Sequence, residues 1–139
     1  MKILVSKSGE CSFTATSKST GASLRMDGPP DLGGTSEGMR PMETLLASLA
    51  GCSAVDVVMI LRQQKEPLEG LDVEVEGKRA DAIPAVFTDI HLRFVVRGEV
   101  SEHKAKRAVA LSGEKYCSVS KMLEPTVKIT HEVVFERGA

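Results

Sequence analysis

The sequence predicts an α+β fold, and three observations predict it. Short β-compatible segments separated by turns fill the first 27 residues, a long apolar helical pattern opens at Pro41, and two strongly alternating segments return later with helical sequence between them. Strands, one long helix, strands, helices and a closing strand make a segregated order, without the regular βα repeat of a parallel sheet. With 139 residues the chain is expected to form one domain, 1–139. A chain of this length buries roughly two thirds of its unfolded surface, enough for a core without staples. The composition, 42% hydrophobic and 27% charged, excludes disordered, collagen-like and disulfide-dense classes. Eighteen basic against nineteen acidic residues supply no global field for nucleic acid. No strictly apolar run approaches the ~20 residues of a bilayer-spanning helix. Met1–Val5 turns polar at Ser6 without a signal-peptide core. The expectation is a soluble cytoplasmic chain with neither nucleic-acid nor membrane partners.

Element by element, Ile3–Val5, Cys11–Thr16 and Ala22–Met26 read as a small antiparallel meander, with turns at Ser8-Gly9-Glu10 and Thr20-Gly21. Asp27–Arg40 holds four glycines and two prolines and predicts a long irregular loop. A glycine-rich phosphate cradle is one reading of it, a crossover loop the other. Both G-x-x-x-x-G-K-[ST] and G-x-G-x-x-G are absent, which favours the crossover loop. Pro41 suits the first helical position, Glu43 suits the positive end of the helix dipole, and the helix should run to about Lys65. Leu45, Leu46, Leu49, Val57, Ile60 and Leu61 form its apolar stripe, with Ser53 in the middle. Residues 47–54 are nearly all small, and Gly51 costs about 1 kcal/mol against Ala in a helix interior. Close packing of another element on this helix is the expected compensation.

Leu71–Arg79 and Val86–Arg97 alternate as strands, the second with Ile90, Leu92, Phe94 and Val96 on one face. Ser101 is the expected N-cap of a helix to Ser112, with Gly113 as its stop. Cys117–Leu123 reads as a short helix, and Val127–Phe135 as the closing strand with His131 on its apolar face.

Chemistry could reside in the cysteines. Cys11, Cys52 and Cys117 show no C-x-x-C and no Cys/His ligand spacing, so no zinc finger or thioredoxin-type motif is expected, nor any metal or cofactor. Cys52 lies beside the apolar stripe, where an inert buried thiol is the plain reading. Asp56, one turn on, would oppose ionisation of Cys52, so a reactive thiolate there needs a cation from elsewhere, such as Arg25 or Arg40. Cys117 begins a short helix near Lys115 and Lys121, which on local electrostatics makes it the better nucleophile. Cys11 reads as a bystander, His91 and His103 as solvent-face residues. No G-x-S-x-G elbow is present for Ser-His-Asp catalysis. These residues leave a two-cysteine redox protein as one open reading.

The stretch from Gly33 through Pro41-Met42-Glu43 to Gly51-Cys52-Ser53-Ala54-Val55-Asp56-Val57 resembles the OsmC/Ohr family, and within it the OsmC-like branch of the YhfA type. Tyr116-Cys117-Ser118-Val119 resembles the family's second motif, and the element order matches across nearly the whole chain. The resemblance implies an OsmC-like fold, with antiparallel sheets wrapped around a long central helix in an intertwined homodimer. It implies a thiol-dependent peroxidase for organic hydroperoxides, in which Cys52 attacks the O–O bond, Cys117 resolves the sulfenic acid, and an external dithiol restores the pair. The family pattern is Pro-x-Glu or Pro-Glu, and in its characterised peroxidases a Glu directly follows the Pro and pairs with an activating Arg. Here Met42 takes that place and Glu43 comes one residue later. On a continuous helix Glu43 lies about 180° around and ~13.5 Å along from Cys52, so it acts only through an intermediary such as Arg25 or Arg40. The competing expectation is a dimeric redox-sensing or apolar ligand-binding module that keeps the fold without efficient catalysis.

Overall fold

The strands fall into two three-stranded sheets, one before and one after the long helix in the chain. A computed structural model describes residues 1–137. They divide into two compact units at Leu45/Leu46, inside that helix, and each unit is built on one of the sheets.

In the first unit β1 (Ile3–Lys7), β2 (Ser12–Ser17) and β3 (Ser23–Asp27) form the expected antiparallel meander, registered by Ile3 opposite Ser17 and Ser12 opposite Asp27. Residues 28–40 make a 3-10 turn at Pro30–Leu32 and then return to the sheet, where Met39 bridges Met26 and its carbonyl accepts from the Asp27 N–H at 2.9 Å. Gly34 permits that return: a Cβ there would fall 1.8 Å from the Gly28 carbonyl oxygen. The buried Asp27 carboxylate organises the loop. It accepts from the Ser12 hydroxyl, from the Gly38 N–H at 2.6 Å and from the Thr35 N–H at 3.4 Å. The amides a phosphate would need are therefore engaged by the chain's own carboxylate, which agrees with the crossover-loop reading. These bonds, led by that from Ser12, hold the Asp27 carboxyl down at about 2 against an ordinary 3.8, while burial opposes them.

The long helix, α1 (Pro41–Gln63), starts as predicted. The Glu43 carboxylate reaches back to accept from the Arg40 N–H at 2.9 Å, the returning half of a capping box. The helix ends two residues short of the expected Lys65, which instead adopts a left-handed φ of 57°. The Glu66 N–H then bonds the Leu61 carbonyl at 2.9 Å and the Lys65 N–H the Arg62 carbonyl at 3.0 Å, a Schellman termination. By length and composition α1 could cross a membrane. It reads instead as a core helix, because Leu49, Val57 and Leu61 are fully buried and the polar Ser53 and Asp56 are buried among them. Gly51 departs from expectation: it is exposed, and a Cβ added there meets nothing within 4 Å. Together with Val55 and Met59, also exposed, it leaves the small-residue face uncovered by the described residues.

In the second unit β4 (Gly70–Arg79) pairs antiparallel with β5 (Phe87–Arg97), the central strand, whose Phe87, Ile90, Leu92, Phe94 and Val96 are buried. The last strand, β6 (Lys128–Glu136), runs parallel to β5, so this sheet is mixed where an antiparallel one was expected. The reason is the connection: residues 98–127 hold two helices that carry the chain back before β6 begins, the kind of crossover a parallel pair requires. His131, expected on a buried face, is exposed on this edge strand.

Helix α2 (Glu102–Leu111) is capped by the Ser101 hydroxyl, which accepts from the Lys104 N–H at 3.4 Å. Gly113 does not stop it. The chain widens into one π-turn over Ser112–Tyr116, closed by the Cys117 N–H on the Ser112 carbonyl at 2.8 Å. The short helix α3 (Ser118–Leu123) follows, with Cys117 as its N-cap.

Two measurements check this packing. Leu61→Ala should lower stability by about 2–5 kcal/mol in urea unfolding, as a cavity in a closed core does. Because Asp27 ionises at a lower pH when folded than when unfolded, its bonds stabilise fully above 3.8 and are lost as pH falls through about 2. Acid titration of stability should therefore show wild type losing more between pH 5 and 2 than Asp27→Asn, which starts less stable.

Candidate functional site

Two features of α1 create a site in the second unit. Cys52 and Asp56 are four residues apart and so project from one side of the helix. Ser53, on the buried stripe, meets the segment that follows α2. The π-turn places Ser112 and Cys117 against them. The Ser112 hydroxyl donates to Asp56 Oδ2 at 3.0 Å, and the Ser53 hydroxyl donates to Cys117 Sγ at 3.5 Å. Cys117 Sγ also accepts from the Ser120 N–H at 3.4 Å. The sulfurs of Cys52 and Cys117 and a carboxylate oxygen of Asp56 all lie within 4.8 Å of one another. Linear spacing concealed this grouping, because 65 residues separate the two cysteines and Asp56 belongs to no ligand motif.

The two thiols are not equivalent. Cys117 has no exposed surface, whereas Cys52 is half-buried. Burial pushes the Cys117 thiol up from its ordinary value, and the neighbouring Cys52 sulfur adds to the rise; the bonds from Ser53 and Ser120 oppose it. This reverses the local-electrostatics expectation, since desolvation outweighs the short helix's N–H groups. The two nearby cations are also occupied: Lys121 pairs with Glu124 at 3.0 Å, and the Lys115 ammonium sits over the Tyr116 ring, 5.3 Å from its centroid.

The other expected site residues belong to the first unit. Arg25, on β3, is 3.3 Å from Asp27 through Nε and 2.9 Å from Glu37 through Nη1. The Nε contact is an ion pair without the alignment of a hydrogen bond. Its Nη2 donates to Ser12 at 3.1 Å and to Thr35 at 3.0 Å. Glu43 caps α1 on the backbone of Arg40. Cys11 is half-buried beside Gly28, whose N–H bonds the Cys11 carbonyl at 2.8 Å. The sequence reading missed Ser53, Ser112 and Ser120 as partners of the site. The one signal available was a serine and an aspartate, Ser53 and Asp56, on an otherwise apolar stripe.

Comparison with known proteins gives a consistent picture. Residues 34–132 match the OsmC family model, described as OsmC-like protein. Protein YhfA of Escherichia coli strain K12 is 45% identical over 92 residues, which cover 66% of this chain and 69% of that protein. A hypothetical protein from Aquifex aeolicus VF5 superposes with a TM-score of 0.82 at 31% identity, over 97% of this chain and 96% of the other. An organic hydroperoxide resistance protein OsmC from Legionella pneumophila, also described as a predicted redox protein, superposes with a TM-score of 0.70 over 96% of each chain. At 19% identity that last likeness shows the fold alone.

Proposed function

The chain belongs to the OsmC-like family, and from that premise we propose that it is a thiol-dependent peroxidase that reduces organic hydroperoxides through Cys52 and Cys117. The observation that carries the reading is the pairing of a half-buried sulfur with a fully buried one less than 4.8 Å away. The accessible thiol is the one a peroxide can reach; the buried thiol is reached only by its neighbour, which suits the second step.

In that sequence the Cys52 thiolate attacks the O–O bond of the hydroperoxide. The leaving alkoxide takes a proton and departs as the alcohol, and Cys52 becomes a sulfenic acid. The Cys117 thiol then attacks the sulfenic sulfur; water leaves and a disulfide forms. An external dithiol reduces the disulfide by exchange and is itself oxidised. Ser53 and Ser120 ready Cys117 by donating to the sulfur that must lose its proton. The family resemblance makes Arg25 or Arg40 the candidate activating cation with Glu43 as its partner; within their own unit Arg25 is held by Asp27 and Glu37, and Glu43 by the Arg40 N–H. The reading includes a reducing, cytoplasmic setting, in which the pair is returned to dithiol.

A homodimer completes the proposal. Gly51, Val55 and Met59 form an exposed face of small and apolar residues, and a second copy is the partner proposed for it. The organic-hydroperoxide name of the Legionella relative agrees with the substrate class. One observation favours the competing reading of a slow redox sensor: the charged group gathered with the two sulfurs is a carboxylate, Asp56.

With an organic hydroperoxide and excess dithiol, Cys52→Ser should abolish turnover. Cys117→Ser should consume about one equivalent and leave a trapped sulfenic acid, read by mass spectrometry. Full turnover by Cys52→Ser, or slow stoichiometric oxidation of wild type, would reject the peroxidase. Gly51→Leu should shift the chain toward monomer in sedimentation analysis while leaving far-UV dichroism unchanged.

A further inference from the structure

We propose that reduced Cys52 and Cys117, together with Asp56, form a zinc-binding site, and that occupancy by zinc and oxidation of the thiols exclude one another. Two sulfurs and one carboxylate, with their ligating atoms all within 4.8 Å, are a donor set suited to Zn²⁺. Tetrahedral coordination with Zn–S near 2.3 Å brings two sulfurs to about 3.8 Å apart, so the atoms need shift by only about an ångström. The surroundings supply what a metal site needs beyond its ligands. Ser112 donates to one Asp56 oxygen at 3.0 Å and orients the carboxylate, and Ser53 and Ser120 donate to Cys117 Sγ. Such outer contacts fix ligand orientation and are worth about 10–100-fold in affinity when removed. Cys52, half-buried, gives the entry path, while Cys117 and Asp56 form the closed side.

The chemistry balances without a redox partner. One Zn²⁺ displaces the two thiol protons, which go to solvent, and the ionised Asp56 completes a three-ligand set with net charge −1. A water takes the fourth position, as at open zinc sites. Asp56 thereby gains a purpose that peroxide chemistry does not give it, since its carboxylate stands beside both sulfurs and supplies the oxygen donor for a bound cation. Oxidation to the Cys52–Cys117 disulfide removes two of three ligands and releases the metal; bound zinc in turn ties up the sulfur that would attack peroxide. The site requires only reduced thiols, while its antagonism with peroxide rests on the function proposed above.

The test uses the full reduced chain, purified metal-free, titrated with zinc against a chromogenic chelator and with Co²⁺ for its sulfur-to-metal absorption. Wild type should bind one equivalent and show the charge-transfer band, and Cys11→Ser should do the same. Cys52→Ser and Cys117→Ser should lose binding at the same chelator concentration, and the preformed disulfide should bind none. Asp56→Asn should weaken binding more than Ser112→Ala does, the latter by about tenfold or more. Should Asp56→Asn fail to fold by far-UV dichroism, Ser112→Ala decides the carboxylate's part. The proposal is overturned if reduced wild type takes up no zinc, or if either cysteine variant or the disulfide keeps wild-type affinity. It is overturned equally if the folded Asp56→Asn chain, or in its place Ser112→Ala, binds as wild type. Zinc uptake without peroxide turnover in the metal-free protein would remove the peroxidase and leave the site; turnover without uptake would do the reverse.

Discussion

A buried helix face that carries polar groups must find partners for them, and much of the second unit follows from that requirement. α1 takes Ser53 and Asp56 into a core that also holds Leu49, Val57 and Leu61. Left unpaired, each would cost about 1–3 kcal/mol, and more for a charge. One stretch of chain supplies both partners: Ser112 bonds Asp56 and Cys117 receives the Ser53 hydroxyl. Those two residues can face the same helix because the turn between them is a π-turn and not a helix stop. The wide turn, the docking of α1 and the meeting of two distant cysteines are one solution to one problem of satisfaction. π-turns recur at functional sites for this reason, since the extra residue re-aims a side chain.

The same contacts make the two thiols chemically different. Cys117 caps α3 and is sealed from water, so its environment combines desolvation with two hydrogen-bond donors, and desolvation dominates. Cys52 keeps a partial opening to solvent. A pair of unlike thiols is what sequential chemistry needs, with one sulfur reachable first and the other available only to its neighbour. Asp56 adds an oxygen donor to the two sulfurs, which is why one cluster can be read toward peroxide and toward zinc.

The first unit follows a separate logic. Asp27 occupies the position of an anion in its loop, taking the amides of Gly38 and Thr35 and the hydroxyl of Ser12, and Arg25 answers its charge. Arg25 therefore holds structure as well as charge, with contacts to Glu37 and Thr35 added to that to Asp27. Glu43 likewise has local work at the start of α1, which accounts for its place three residues after Arg40.

Periodicity alone was enough for the α+β order, the meander, the reach of α1 and the buried face of β5, because each depends on neighbours within a few residues. The Ser101 cap and the Pro41 start were legible for the same reason. Nonlocal features were not. Nothing near Gly113 or Cys117 announces a π-turn, the parallel direction of β6 depends on where a thirty-residue connection lands, and the exposure of His131 depends on β6 being an edge. Motif resemblance marked both cysteines, but their closeness, the serines that serve them and the company of Asp56 arise only when α1 and the turn after α2 are packed together. A thiol's ionisation illustrates the division: the sequence by itself shows which charges and helix ends lie beside Cys117 along the chain, while burial, which outweighs them, is a property of the folded core alone.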